Sequence, residues 1–201
     1  MKILGLELSS GQGSIALRED GREVFAEEFA NDRKHSGAFF EALQRCLEQF
    51  GNSERIVVGL GPGSYAGTRI AIAAAIGLQA AANAELLGVP SFCAIATDAD
   101  KYSVIGDARR QSFWIAQVQA RRCVDEPALC TSEELAERIS FLSEPIFSSE
   151  ALTAFPKIAI CYPSARILAA IAESSEDVVR PPLEPLYLRE PHITQPKTAR
   201  V

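Results

Sequence analysis

The chain has 201 residues, 47% of them hydrophobic and 23% charged. That suits one large domain or two lobes of about 100 residues each, and it excludes wholesale disorder and a string of small modules that need staples to fold. Twenty Lys and Arg against 26 Asp and Glu give a net charge of -6, which excludes a chain that holds nucleic acid unaided, because neutralising phosphates takes clustered cations.

The first thirty residues read as an antiparallel meander: an apolar run over Ile3–Leu8, a turn at residues 9–13, alternation from Ser14 to Arg18, an Asp20-Gly21 hairpin turn, and alternation from Glu23 to Phe29. Helical periodicity over Gly37–Phe50 puts Phe39, Leu43, Cys46, Leu47 and Phe50 on one stripe. A buried strand is expected at Ile56–Leu60, a glycine-rich turn at Gly61–Gly67, a helix at Thr68–Ala82 and a strand at Glu85–Val89 closed by Pro90. A weaker second copy follows: strands at Tyr102–Ile105 and Ser112–Gln119 around an Asp107–Arg110 turn, a helix near Ser132–Ile139, strands near Pro145–Phe147 and Ile158–Cys161, and a helix at Ser164–Ala172. From Val179 the chain is proline-rich and expected to be extended. A meander followed by alternating helices implies a mixed sheet. The five cysteines have no metal-site or redox spacing and read as reduced, packed thiols. The N-terminal apolar run is too brief for a signal peptide, and the longest apolar stretch, Ile70–Ala82, is too short for a membrane span, so a cytoplasmic protein is expected.

The turn Gly61-Pro62-Gly63-Ser64-Tyr65-Ala66-Gly67-Thr68-Arg69 joins a strand to a helix, where amides can cradle an anion. It lacks the Lys-Ser/Thr of a Walker loop and the flanking glycines of a nucleophile elbow. Two readings stay open. Gly61-x-Gly63-x-x-Ala66, with Glu85 further on, matches a dinucleotide fingerprint in letters, although it follows a meander and not a first parallel strand. Alternatively the glycines make a tight turn and Ser64 caps the helix.

The helix after it is apolar all round, so it is either sandwiched within the domain or presents its outer face to another protein. Gly77 inside it fits close approach by a neighbour. Phe39 and Phe40, about 100° apart on the preceding helix, cannot both face one sheet.

Five strings in order carry a family resemblance: Ile3-Leu4-Gly5-Leu6-Glu7-Leu8-Ser9-Ser10, Arg33-Lys34-His35-Ser36, Val58 to Ile70 with its glycine turn, Asp107-Ala108-Arg109-Arg110, and Pro185-Leu186-Tyr187-Leu188-Arg189. Together they resemble the bacterial TsaB (formerly YeaZ) family. The match is strong over residues 2–110, weak over 111–175 and recovers near the tail. The resemblance implies an actin-like, Hsp70-like, sugar-kinase-like ATPase fold, with two α/β lobes each built on a mixed β-β-β-α-β-α-β sheet. The corresponding division is an N-terminal lobe at 1–98, a smaller C-terminal lobe at 99–178 and a proline-rich tail at 179–201.

It further implies a non-catalytic partner of TsaD in forming N6-threonylcarbamoyladenosine at position 37 of tRNA, with TsaE inside the complex and tRNA contacted mainly through other subunits. TsaB-like chains pair with TsaD through two helices of the first lobe. Here that surface would comprise Phe39, Phe40, Leu43, Leu47, Ile70, Ala73, Ala74, Gly77, Leu78 and Ala81, and it could serve self-association; Ala74→Glu is expected to abolish pairing in a folded monomer. Gly61, Pro62, Gly63, Ser64, Gly67 and Arg69 form the structural motif, and Glu7, Ser9, Asp107 and Arg109 a vestigial nucleotide site. Glu7 stands where the fold's Asp belongs, and Asp107 is followed by no glycine. No cofactor is expected on the isolated chain, with ATP or ADP and Mg only in the complex. No metal site is expected, because Phe39 stands where a TsaD-like His pair would continue from His35, and His192 lies far off in the tail. The alternatives are a stand-alone ATPase or kinase of the same fold and a homodimeric scaffold.

Overall fold

The computed structural model describes residues 1–31, 36–174 and 178–188. The Arg33–His35 part of the second motif, Arg189 of the fifth, and His192 lie outside the described residues. In the first sheet β1 (Lys2–Glu7), β2 (Gln12–Glu19) and β3 (Arg22–Ala30) form the expected antiparallel meander, and β4 (Arg55–Gly59) and β5 (Glu85–Val89) add in parallel to give the order β3-β2-β1-β4-β5. Parallel neighbours need crossovers, and α1 (Gly37–Phe50) and α2 (Tyr65–Ala82) supply them. The second sheet repeats the order: β6 (Lys101–Arg109), β7 (Ser112–Gln119), β8 (Arg122–Cys123), β10 (Ile146–Ser148) and β11 (Ala159–Ile160) lie as β11-β10-β6-β7-β8, with β9 (Ala128–Cys130) also on β7. α3 (Ser132–Ser140), closed by a Thr131–Glu134 capping box, covers this sheet, while residues 149–158 join β10 to β11 without a helix. This is the α/β architecture that the motifs imply, two lobes each on a mixed sheet.

Burial explains why the first-sheet strands read as continuous apolar runs. Leu4, Leu6, Ile56 and Val58 face α1 and α2, whereas Ile3, Val57 and Leu87 face the other way, so both faces are dry. The second face is covered by α4 (Ala165–Ser174), contributing Leu168, Ala169, Ile171 and Ala172, and by a 3-10 turn at Ser91–Ala94. Tyr102, Val104, Trp114 and Val118 of the second sheet join the same cluster. The lobes therefore share a core. Although α4 follows the second sheet in sequence, it lies on the first, held by Arg18–Glu173 at 2.9 Å, by an Arg166–Glu23 pair and by an Arg55 hydrogen bond to the Ala172 carbonyl. Gly5 makes the approach feasible: a Cβ there would overlap the Ala165 carbonyl, while the Ala165 amide donates to Ser14 Oγ at 2.9 Å.

Three details differ from the periodicity. α2 starts at Tyr65, three residues before Thr68, because Ser64 is its cap and accepts from the Gly67 amide. β6 runs on to Arg109, and the turn lies at Arg109–Gln111, all three at positive φ. β8 and β9, two and three residues long, are too short to carry a periodicity. No cysteine among the described residues forms a disulfide, and burial pushes the Cys46 thiol up to about 11.

Gly5→Ala is expected to destabilise the protein by about 1–3 kcal/mol or more, since the added methyl meets backbone that cannot rotate away. Gly11→Ala, with nothing within 4 Å of the new Cβ, should stay within about 0.5 kcal/mol of the parent. Urea melts of the two variants check the pair.

Candidate functional site: the interlobe cleft and the outer face of α2

A cleft of about 650 Å³ opens between the lobes. Its walls are the Ser9–Gly11 turn after β1, the Pro62–Ala66 end of α2, the Asp107–Arg109 end of β6, Glu150, Trp114, Tyr162 and the tail residues Leu186–Leu188. The fold thus brings Ser9, Pro62, Gly63 and Ser64 from the first lobe opposite Asp107 and Arg109 from the second.

The glycine-rich turn clasps the first-lobe wall. The Ser64 amide donates to the Ser9 carbonyl at 2.6 Å, the Gly61 amide to Ser91 Oγ at 3.0 Å, and the Gly67 amide to Ser64 Oγ at 3.2 Å. A Cβ at Gly63 would overlap the Ser9 carbonyl and one at Gly67 the Leu8 carbonyl, so both glycines serve close backbone approach. Asn31 closes the clasp by donating to the Leu8 and Ser10 carbonyls at 2.9 and 2.8 Å. Of the two readings left open by the sequence, the tight turn with a Ser64 cap is the one present. Three amides of the loop are engaged by protein and are closed to an anion.

Glu7 does not line the cleft. It lies on the α4 face of β1, 0% exposed, with Oε1 accepting the Ser9 amide at 2.6 Å. Oε2 has no hydrogen-bond partner among the described residues; it fills the space above Gly59 that a Cβ would need, beside Ser91 Oγ. Desolvation drives its pKa above the usual carboxylate range, and the polar groups of Ser9, Ser91 and the nearby backbone offset only part of that. Asp107 is committed locally: its carboxylate accepts the Arg109 amide at 2.7 Å and pairs with the Arg109 guanidinium at 3.0 Å, while its own amide donates to Glu150 at 3.1 Å.

The second surface is the outer face of α2. Ala73, Ile76, Gly77, Ala80 and Ala81 are exposed on one helical stripe, Ile76 at 48%, and Gly77 has no neighbour within 4 Å. Arg69 begins the stripe, its guanidinium 5.1 Å above the Tyr65 ring and donating to the Tyr65 hydroxyl at 2.5 Å. Phe40 on α1 is 48% exposed, whereas Phe39 is packed on Phe29 and Leu43 is buried, so both are core and cannot contact a partner. Leu47, Ile70, Ala74 and Leu78 are half-buried against the same core. A charge at Ala74 would thus strain the fold itself, and Ala73 or Ile76 is the cleaner position. Gly77 leaves room for a neighbour, and among the described residues none occupies it.

Trp114 and Glu150 line the cleft without any sequence motif that points to them. Tyr187 also lines it, and the Pro185–Leu188 part of the tail motif is the sequence signal that points there.

The chain matches the family model "TsaD: tRNA N6-adenosine threonylcarbamoyltransferase" over residues 23–183. It belongs to that family. The uncharacterized proteins Rv3421c of Mycobacterium tuberculosis and Mb3455c of Mycobacterium bovis are each 27% identical over 179 residues, spanning 85% of this chain and 81% of theirs. Among solved structures, YeaZ from Pseudomonas aeruginosa superposes with a TM-score of 0.73 at 22% identity over 93% of this chain and 99% of that one. An uncharacterized protein from the same organism with similarity to peptidase YEAZ gives 0.74 at 24% identity, over 94% and 99%. The TsaB (YeaZ) resemblance carried by the motifs is borne out, and membership of the TsaD family ties the chain to threonylcarbamoyladenosine formation on tRNA.

The actin-like fold implies a magnesium nucleotide between the lobes. In this TsaD-family chain the residues present do not fit one. Glu7 is turned under Gly59, Asp107 is held by its own turn, and the Gly61, Ser64 and Gly67 amides of the loop are engaged by protein. Among the described residues no three His, Cys, Asp or Glu side chains converge, and no helix is long and apolar enough to cross a membrane.

Because the folded chain holds the Glu7 proton more tightly than the unfolded chain, folding takes up a proton above the ordinary carboxylate range. Stability from this group is greatest at low pH and falls as pH rises, by about 1.4 kcal/mol per pH unit until the folded group ionises. Glu7→Gln keeps the acceptor for the Ser9 amide and should flatten that slope. Chemical denaturation of both chains from pH 5 to 8 checks it.

Proposed function

We propose that this chain is the non-catalytic partner of a TsaD threonylcarbamoyl transferase and acts by docking through the outer face of α2 together with Phe40. The observation that carries the reading is the uncovered apolar stripe Ala73, Ile76, Gly77 and Ala80, since a surface helix normally turns charge outward. Small side chains let another helix approach closely, and Ile76 and Phe40 offer the larger apolar contacts that anchor an interface. The buried Glu7 argues in the same direction, because a carboxyl turned into the core assists no reaction in the cleft. The contribution is then conformational: contacts stronger with one state of TsaD than another shift its population. TsaE joins within the complex, ATP or ADP with Mg binds only there, and the net charge of -6 leaves most tRNA contacts to other subunits. The complex works in the cytoplasm.

The second reading is a homodimer through the same stripe, favoured by its self-complementary small residues. Ile76→Glu separates the readings. The variant monomer should stay within about 0.5 kcal/mol of the parent, because the side chain is already exposed, and binding to the cognate TsaD should weaken by at least ~100-fold as an unpaired charge enters an apolar interface. Size-exclusion chromatography with light scattering reads both. Undiminished TsaD binding by the variant would place the interface elsewhere, and a dimer of the parent chain with no TsaD complex would select the scaffold of identical copies.

A further inference from the structure

Residues 178–188 stay on the fold after α4. Val179 pairs with Gly88 on the outer edge of β5, each amide donating to the other's carbonyl at 2.8 Å, and Arg180 reaches Glu85 at 2.8 Å. Leu183 enters the α1/α2 core, and the Leu186 amide donates to the Leu60 carbonyl at 2.7 Å. The segment finishes in the cleft. Leu186 and Leu188 pack against the cluster containing Trp114, and the Tyr187 ring lies 5.7 Å from that of Tyr65 at the start of α2. Trp114 lines the same cleft and is 5% exposed.

The attachment is uneven. Leu183, at 8% exposure, is the single buried side chain of the segment, while Arg180, Pro181, Pro182, Glu184 and Tyr187 are exposed. The Arg180 side chain is 68% exposed, so its pair with Glu85 adds little. A segment with one buried anchor and few backbone hydrogen bonds opens at a lower free energy than the sheet beneath it. We infer that residues 178–188 are a releasable strap that forms one wall of the interlobe cleft, so that its opening, with both sheets intact, uncovers Trp114 and frees Tyr65 at the start of the docking helix. This inference holds whether or not α2 meets TsaD.

The test combines native-state hydrogen exchange on the intact chain with acrylamide quenching of its single tryptophan. The Val179 and Leu186 amides should exchange at least ~100-fold faster than the hydrogen-bonded amides of β1 and β4, with rates insensitive to low denaturant, the behaviour of local opening. In a Leu186→Ser/Tyr187→Ala chain with unchanged far-UV circular dichroism, the quenching constant of Trp114 should at least double. Strap amides exchanging in step with β1 and β4, with the same denaturant dependence, would overturn the inference by making the segment ordinary core. Unchanged quenching in the folded variant would also overturn it, because the segment would then shield nothing. Should the variant fail to fold, the exchange measurement on the parent chain decides.

Discussion

The backbone contact between Gly5 and Ala165 governs how the molecule is put together. A residue near the start of the chain gives up its side chain so that the first turn of α4 can lie directly on β1. With α4 seated there, the back of the first sheet is sealed, the 3-10 turn at Ser91–Ala94 is trapped beside it, and Tyr102, Val104 and Trp114 of the second sheet close on the same cluster. The two sheets thus meet through packed apolar surface, and the cleft lies beside that packing.

The same tight packing accounts for the chemistry the cleft lacks. Glu7 projects from β1 on the α4 side, and the room it needs is supplied by the bare Cα of Gly59. Beside it, the Ser64 amide and Ser9 carbonyl draw the glycine turn onto the end of β1. Polar groups that could have faced a ligand are engaged with one another, and Arg109 and Asp107 do the same across the cleft. On the first lobe, the helices leave apolar surface uncovered at Ile76, with Ala73, Gly77 and Ala80 beside it on α2, and at Phe40 on α1.

Most of the fold was legible because it is written in local signals. The Asp20-Gly21 hairpin, the helical stripe through Phe39 and Cys46 and the apolar β4 and β5 stand where the periodicity puts them. The all-apolar composition of α2 showed that one of its faces needed explaining, and Phe39 and Phe40 divided between core and surface as their angular separation requires. The sequence could not show which face. Leu43 and Leu47 share one helical stripe, and Ala73 and Ala74 are neighbours on another helix, yet only the packing against the first sheet leaves Leu43 buried, Leu47 and Ala74 half-buried and Ala73 exposed. The orientation of Glu7 was equally hidden, since it depends on Gly59, fifty-two residues away. The packing of α4 onto the first sheet rests on Gly5, a residue with no local pattern to give it away.

That packing carries a consequence for biogenesis. The first sheet begins with Lys2, yet the residues that cover its second face arrive at Leu168–Ala172, and Leu183 completes its first. The growing chain therefore exposes a nearly finished lobe with one greasy side still bare, and that side is sealed only when α4 returns to β1. Such long-range closure is slow relative to helix and hairpin formation, which makes the nascent chain, and not the mature protein, the species most in need of protection from aggregation.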